Sequence, residues 1–209
     1  MKTKPLTFLL ALTFLFLFSG SVYGDDFQDG VDAYKRQDYK TAYKLFLPLA
    51  EQGDAYAQFA LGRLYFYGEG VIKDDKNAVK WFRLSAEQEN ASGQNGLGVM
   101  SREGRGVSKN YQEALKWFRL SAEQKFPLGQ NNLGSMYDEG LGVPQDYNAA
   151  IKWYRLSAEQ GSYSGQNSLG YMYEYGHGVP QDHKEAVKWY RLSAEQGYAP
   201  AQGKLGAMY

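Results

Sequence analysis

The chain has 209 residues, no formal net charge, 44% hydrophobic and 16% aromatic residues, and no cysteine. That much apolar mass excludes a disordered chain, and the missing cysteine removes disulfides, thiolate nucleophiles, cysteine-based zinc sites and a lipidated cysteine. Two histidines, His177 and His183, are too few for a histidine-rich metal site, and without a basic run nucleic acid has no electrostatic footprint to hold.

Residues 1–24 read as a targeting segment. Lys2 and Lys4 form a basic start, and Leu6 to Phe18 is a 13-residue apolar stretch broken by two threonines. Ser19 to Gly24 then supplies small residues, with Val22 and Gly24 three and one positions before a cut. This is the layout of a secretory signal peptide, too short for a membrane span; the alternative is an uncleaved N-terminal anchor. Cleavage removes Lys2 and Lys4, leaving 21 basic against 23 acidic residues, a net charge of −2. No second apolar span follows. The expectation is an exported protein, periplasmic or secreted, with no membrane contact after cleavage.

Residues 25–53 read as an atypical, capping helix pair. Phe27, Val31 and Tyr34 recur at helical spacing. The run from Tyr39 to Gln52 matches the later tryptophan-containing helices, with Leu45 in place of tryptophan. Pro48 stands in its interior, where proline removes a hydrogen bond and predicts a kink.

From Asp54 the chain repeats. Trp-(Phe or Tyr)-Arg-Leu-Ser-Ala-Glu-Gln starts at Trp81, Trp117, Trp153 and Trp189, always 36 residues apart. Gly62, Gly98, Gly134, Gly170 and Gly206 keep the same interval. A fixed period of this size marks an array of one supersecondary unit, here two helices and a turn, so the fold class is an all-α solenoid. The units are 54–89, 90–125, 126–161, 162–197 and a partial 198–209.

Helix A of the first unit runs from about Ala55 to Tyr67, and Gly68 supplies the left-handed C-terminal residue. A Gly-x-Gly-Val turn leads to Asp74, which caps helix B as do Asn110, Asp146 and Asp182. Glu113 and Glu185 stand three residues after two of these caps, a capping-box spacing. Helix B ends at Glu89, Lys125, Gly161 or Gly197, with Asn90 expected to stand in for one missing glycine. Mid-helix glycine costs about 1 kcal/mol relative to alanine, so Gly62 and its copies, and Gly93, Gly129 and Gly165, imply close helix contacts. Lys80, Arg83 and Glu87 fall on the opposite, solvated side of helix B from the tryptophan, which is assigned to the packed side.

The combined pattern resembles the Sel1-like repeat family. It is carried most fully by Gln130, Leu133, Gly134, Met136, Tyr137, Gly140, Gly142, Val143, Pro144, Asp146, Ala150, Trp153, Tyr154, Ala158 and Gly161, and again from Gln166 to Gly197. The resemblance covers roughly residues 54–209 and departs from the pattern at Ile72, Ser101 and Ser108. It implies a right-handed superhelix related to tetratricopeptide arrays, with helix A on the concave face. It also implies adaptor or scaffold work in bacterial envelope signalling, assembly or host contact.

The chemistry-bearing features reduce to structure. The four Gly-x-Gly turns lack the third glycine and the preceding strand of a dinucleotide loop. The repeated Gln58, Gln94, Gln130, Gln166 and Gln202 read as buried amides bonding the neighbouring turn. Some cysteine-rich members of the family are described as β-lactamases or penicillin binders, but this chain lacks the paired cysteines and any Ser-x-x-Lys. The expectation is therefore no enzyme and no cofactor or metal, with an envelope enzyme or cell-wall-fragment binder as the alternative. A third reading is a homo-oligomer formed through residues 198–209, a helix A with no helix B behind it.

Variation between copies points to a surface for a protein partner. At roughly 100° per residue, positions 57, 58, 61, 62, 64 and 65 and their copies are near-constant and share one arc of helix A. Positions 56, 59, 60, 63, 66 and 67 change and share the other. The changing arc, expected to be free of packing duty, carries Phe59, Arg63, Phe66 and Tyr67, then Asn95, Arg102 and Glu103. It continues with Asn131, Asp138 and Glu139, then Asn167, Tyr171, Glu174 and Tyr175. Aromatic and arginine anchors beside amides are what protein interfaces favour.

Overall fold

The computed structural model describes residues 26–208, and every regular element among them is a helix. The expected leader lies outside the described residues. In order the helices are α1 (26–35), α2 (Tyr39–Glu51), α3 (Ala55–Tyr67), α4 (Asp75–Glu87), α5 (Ala91–Glu103) and α6 (Tyr111–Glu123). They continue with α7 (Pro127–Glu139), α8 (Tyr147–Glu159), α9 (Tyr163–Tyr175), α10 (His183–Glu195) and α11 (Ala199–Met208). None of them is long and apolar enough to cross a membrane. Each helix packs on its sequence neighbours. The odd-numbered helices α3, α5, α7 and α9 also touch one another in series, and the even-numbered ones do not to that extent. The odd row therefore lies inside the curve and the even row outside.

The repeated octapeptide can be read residue by residue. Its second aromatic is the core residue: Phe82, Phe118, Tyr154 and Tyr190 are at most 3% exposed. Each ring lies where a side chain on the paired inner helix would start. A Cβ added at Gly62, Gly98, Gly134 or Gly170 would stand 2.5–2.9 Å from it, a distance no real side chain tolerates. The serine hydroxyl donates to the first carbonyl of the preceding inner helix, from Ser85 to Ala55 at 2.7 Å and from Ser121 to Ala91 at 2.8 Å, with Ser157 and Ser193 doing the same. A side chain at Gly93, Gly129 or Gly165 would collide with these serines. The glutamine closes a ladder of amides, Gln88 to Gln58, Gln124 to Gln94, Gln160 to Gln130 and Gln196 to Gln166, at 2.7–2.8 Å. Gln58, Gln94 and Gln130 each donate in turn to an outer-helix carbonyl of the preceding unit, so the buried-amide reading holds for them and for the buried Gln166, whereas Gln202 makes the same kind of bond but is exposed.

The tryptophans differ from expectation. Only Trp81 is buried; Trp117, Trp153 and Trp189 are half-buried. Each of those three leans on the core cluster that its own unit shares with the one before: Trp117 on Phe82 and Leu97, Trp153 on Phe118 and Leu133, Trp189 on Tyr154 and Leu169. They are seals between units, and the following residue fills the core. The charged side chains Lys80, Arg83 and Glu87 are exposed as expected.

Helix ends correct three further expectations. The inner helices close on left-handed Gly68, Gly104, Gly140 and Gly176, with φ of 68–76°. Asn90 does not replace a glycine: it caps α5 through its side chain at φ −69°. Glu89 and Lys125 adopt the left-handed turn themselves, at φ 60° and 62°. The capping boxes do not close. The amides of Asn110 and Asp182 donate to Ser101 and Tyr173 of the inner helices. Glu113 is thereby free to accept from the Trp117 indole, and Glu185 from Lys188. Pro48 does not interrupt α2, which runs unbroken from Tyr39 to Glu51.

The first pair shares the packing rule of the others. The Phe46 ring lies 2.5 Å from where a Cβ on Gly30 would stand, as Phe82 does over Gly62. Only the connecting turn is shorter, which shifts the register and hides the match from a fixed 36-residue comparison.

Candidate functional site

The inner row forms one surface from α3 to α11, and the predicted residues lie along it on four successive helices. They are not free of packing duty, which corrects the expectation. Phe59 and Phe66 lie against Phe82, with ring centroids 5.9 and 6.4 Å away. Asn95 accepts from Asn132 at 2.7 Å, and Asn131 from Ser168 at 3.0 Å, so the amides tie each inner helix to the next. Inner helices touch directly, and part of the changing arc is needed for that contact.

Side chains that remain open are the last residues of the four inner helices. Tyr67 is 58% and Tyr175 49% exposed, and Glu103 and Glu139 are exposed between them. Each stands just before a left-handed glycine, which leads the chain away to the outer row. Together they rim the groove.

At the α3 end the groove is aromatic and cationic. A cavity of about 390 Å3 is lined by Phe27, Val31, Phe46, Tyr56, Phe59 and Arg63. Arg63 donates to the Tyr34 hydroxyl at 3.0 Å, and Tyr34 donates on to Glu69 at 2.7 Å. Burial and the Glu69 hydrogen bond push the Tyr34 phenol up to about 12. Arg102 lies over the Phe118 ring at 5.6 Å. Arg105, in the α5–α6 turn, grips Asp75 of the preceding unit through two hydrogen bonds of 2.6 and 3.1 Å and covers Phe66 at 3.8 Å. The Arg105 guanidinium holds the Asp75 carboxyl below its ordinary range.

At the α9 end the groove is acidic and tyrosine-rich. Asp138 accepts from the Tyr154 hydroxyl at 3.2 Å. Burial pushes its carboxyl above the usual carboxylate range. Glu174 accepts from Tyr190 and from the Lys204 ammonium at 2.9 Å. Burial would raise Glu174 too, but these two bonds outweigh it and hold the group low. Tyr171 and Tyr175 lie 4.6 Å apart beside Lys204. Comparison of repeats does not single out Lys204, because it stands in the partial unit where Ala60, Gly96, Asn132 and Ser168 occupy the earlier ones.

His177 stacks on Tyr147 at 4.3 Å, while His183 is exposed at the start of α10. Among the described residues there is no group of three side chains able to hold a metal. The second glycines of the Gly-x-Gly turns abut the first residues of the preceding outer helices, Tyr39, Asp75, Tyr111 and Tyr147, so the turns are packed between units.

Comparison with known proteins is consistent with this geometry. A family model described as Sel1 repeat matches residues 24–54, 55–90, 91–126, 127–162 and 164–198, which includes the first helix pair. A Sel1 repeat protein from Oxalobacter formigenes is 36% identical, with a TM-score of 0.76 over 88% of this chain and 75% of its own. A protective antigen of uropathogenic Escherichia coli, c5321, is 37% identical with a TM-score of 0.72; the alignment covers 91% of this chain and 42% of the antigen. The cysteine rich protein B of Helicobacter pylori is 26% identical with a TM-score of 0.50, over 64% of this chain and 96% of that protein. No match to a curated protein was found.

Proposed function

Because the chain belongs to the Sel1 repeat family, we propose that it is an exported scaffold holding a segment of another protein along its inner row. Sel1 repeat proteins are typically protein-interaction scaffolds. The observation that carries the proposal is the groove's graded chemistry. Aromatic and arginine side chains at Arg63 and Arg102 give way to acids at Asp138 and Glu139, and to Glu174 paired with Lys204. Such a gradient orients a partner and not merely attracts one. Export, to the periplasm or beyond, is supported by the basic and apolar residues 1–24, and a mature N-terminus at Asp25 is the outcome that N-terminal sequencing should return.

The test uses the open rim. A variant with Tyr67, Glu103, Glu139 and Tyr175 all changed to alanine should keep its far-UV helical signal and lose partner capture from envelope extract. Undiminished capture by the folded variant would place binding elsewhere.

A further inference from the structure

Two consecutive units present the same site in different states. Glu174, Tyr190 and Lys204 are offset by 36 residues from Asp138, Tyr154 and Ser168. In the later unit the carboxylate accepts from its tyrosine and from the lysine ammonium, which also donates to the Tyr175 hydroxyl at 3.2 Å and lies 5.0 and 5.7 Å from the Tyr175 and Tyr171 rings. In the earlier unit the lysine is replaced by Ser168, whose hydroxyl turns to Asn131. Asp138 keeps its tyrosine but has no side-chain cation bonded to it.

A cavity of about 230 Å3 lies at this place, lined by Asp138, Tyr154, Asn167, Ser168 and Tyr171 and bordered by Tyr190 and Lys204, whose ammonium is held by Glu174. The Asn167 Oδ1 is buried and accepts no hydrogen bond. A half-buried carboxylate with no cation bonded to it and a buried acceptor without a donor both cost free energy. One group repairs both. A primary ammonium has three donors and no acceptor, and it gains further from a tyrosine face. Lys204 is an example of that chemistry one unit away.

We propose that the cavity between α7 and α9 is a lysine-side-chain site, in which the ammonium of an extended partner segment bonds Asp138 and Asn167 against the Tyr171 ring. The inference rests on the groove reading and names the partner's chemistry at one position. The charge order agrees with it, since Asp138 belongs to the acidic half of the groove and Glu139 stands beside it. A guanidinium is disfavoured by its size and its forked geometry, which calls for a bidentate carboxylate; Asp138 already has one oxygen engaged by Tyr154.

The test compares two fluorescent peptides of alanine and serine, one with a single central lysine and one with norleucine there, by anisotropy against the protein. The lysine peptide should bind about tenfold tighter or more. Asp138→Asn should reduce it to the norleucine level. Ser168→Lys should also abolish the preference, by placing an internal ammonium as Lys204 does, and should raise Tm. Equal binding of the two peptides, binding of neither, or an undiminished lysine preference in Ser168→Lys overturns the site. Loss of lysine preference with intact rim-dependent capture sinks this inference alone; loss of rim dependence sinks the groove reading itself.

Discussion

The same glycine position carries opposite costs along the chain. At Gly134 an added Cβ would stand 2.7 Å from the Tyr154 ring and 3.2 Å from the Ala150 carbonyl, whereas at Gly206 it meets nothing within 4 Å. Gly134→Ala should therefore destabilise by about 1–3 kcal/mol through overpacking. Gly206→Ala should be neutral or stabilise by up to about 1 kcal/mol through helix propensity. Denaturant melts of both variants decide this, and losses of equal size would refute the seated-ring account. The octapeptide's two aromatics separate in the same way. Phe118→Ala should cost about 3–5 kcal/mol, the half-buried Trp153→Ala about 1–3 kcal/mol, and the exposed Arg155→Ala no more than about 0.5 kcal/mol. Asp138 adds a pH signature. Its carboxyl is raised by burial, so between the unfolded and folded pKa values the native state holds a proton that the unfolded chain has released, and above both its ionisation works against folding. Asp138→Asn should raise the denaturation midpoint at pH 7, and the advantage should shrink as pH falls through the folded pKa. Parallel pH curves for the two proteins would contradict the burial of that carboxyl.

The outer-helix caps and the left-handed glycines were legible in the sequence, whereas the inner-helix caps Asp54, Asn90 and Ser162 were not read as such. The side chains of Asp74, Asn110, Asp146 and Asp182 cap their helices, and Gly68 and its copies turn left-handed. Features that depend on a competing neighbour were not legible. The box at Asn110 looks complete until the Ser101 carbonyl takes its amide. Nothing in the octapeptide alone says that the tryptophan seals and its successor fills. Phe46 keeps the 36-residue interval to Phe82, but Gly30 escaped because the shorter first turn places it 32 residues before Gly62. The outer-helix ends offer a test at this scale. Nothing lies within 4 Å of a Cβ at Gly161, so any cost there is backbone conformation alone. Gly161→Ala should destabilise by about 1–2 kcal/mol and Lys125→Gly should stabilise by a comparable or smaller amount. Thermal melts giving the same sign for both would refute the left-handed assignment.

Across the whole molecule each unit touches chiefly its neighbours, so the array's stability is close to a sum of units and junctions. The Ser and Gln bonds, spanning 30 residues, tie the two helices within each unit, and Gln58, Gln94 and Gln130, donating to Ala50, Ala86 and Ala122, are the repeated junction. Arg105 on Asp75 is a junction found once, because Glu69, Leu141 and His177 hold the same turn position elsewhere. The fourteen residues chosen from variation between copies do share the inner row, yet sequence variation could not separate the exposed rim from side chains that tie one inner helix to the next. Variation marks what differs between units, and both groups differ. Site-specific photocrosslinking tests the central claim that the inner row holds the partner. A benzophenone amino acid at Tyr67 or Tyr175 should give discrete partner adducts, and the same residue at Arg83 or Arg155 on the outer row should give none. Adducts from the outer row with a silent inner row would contradict the account.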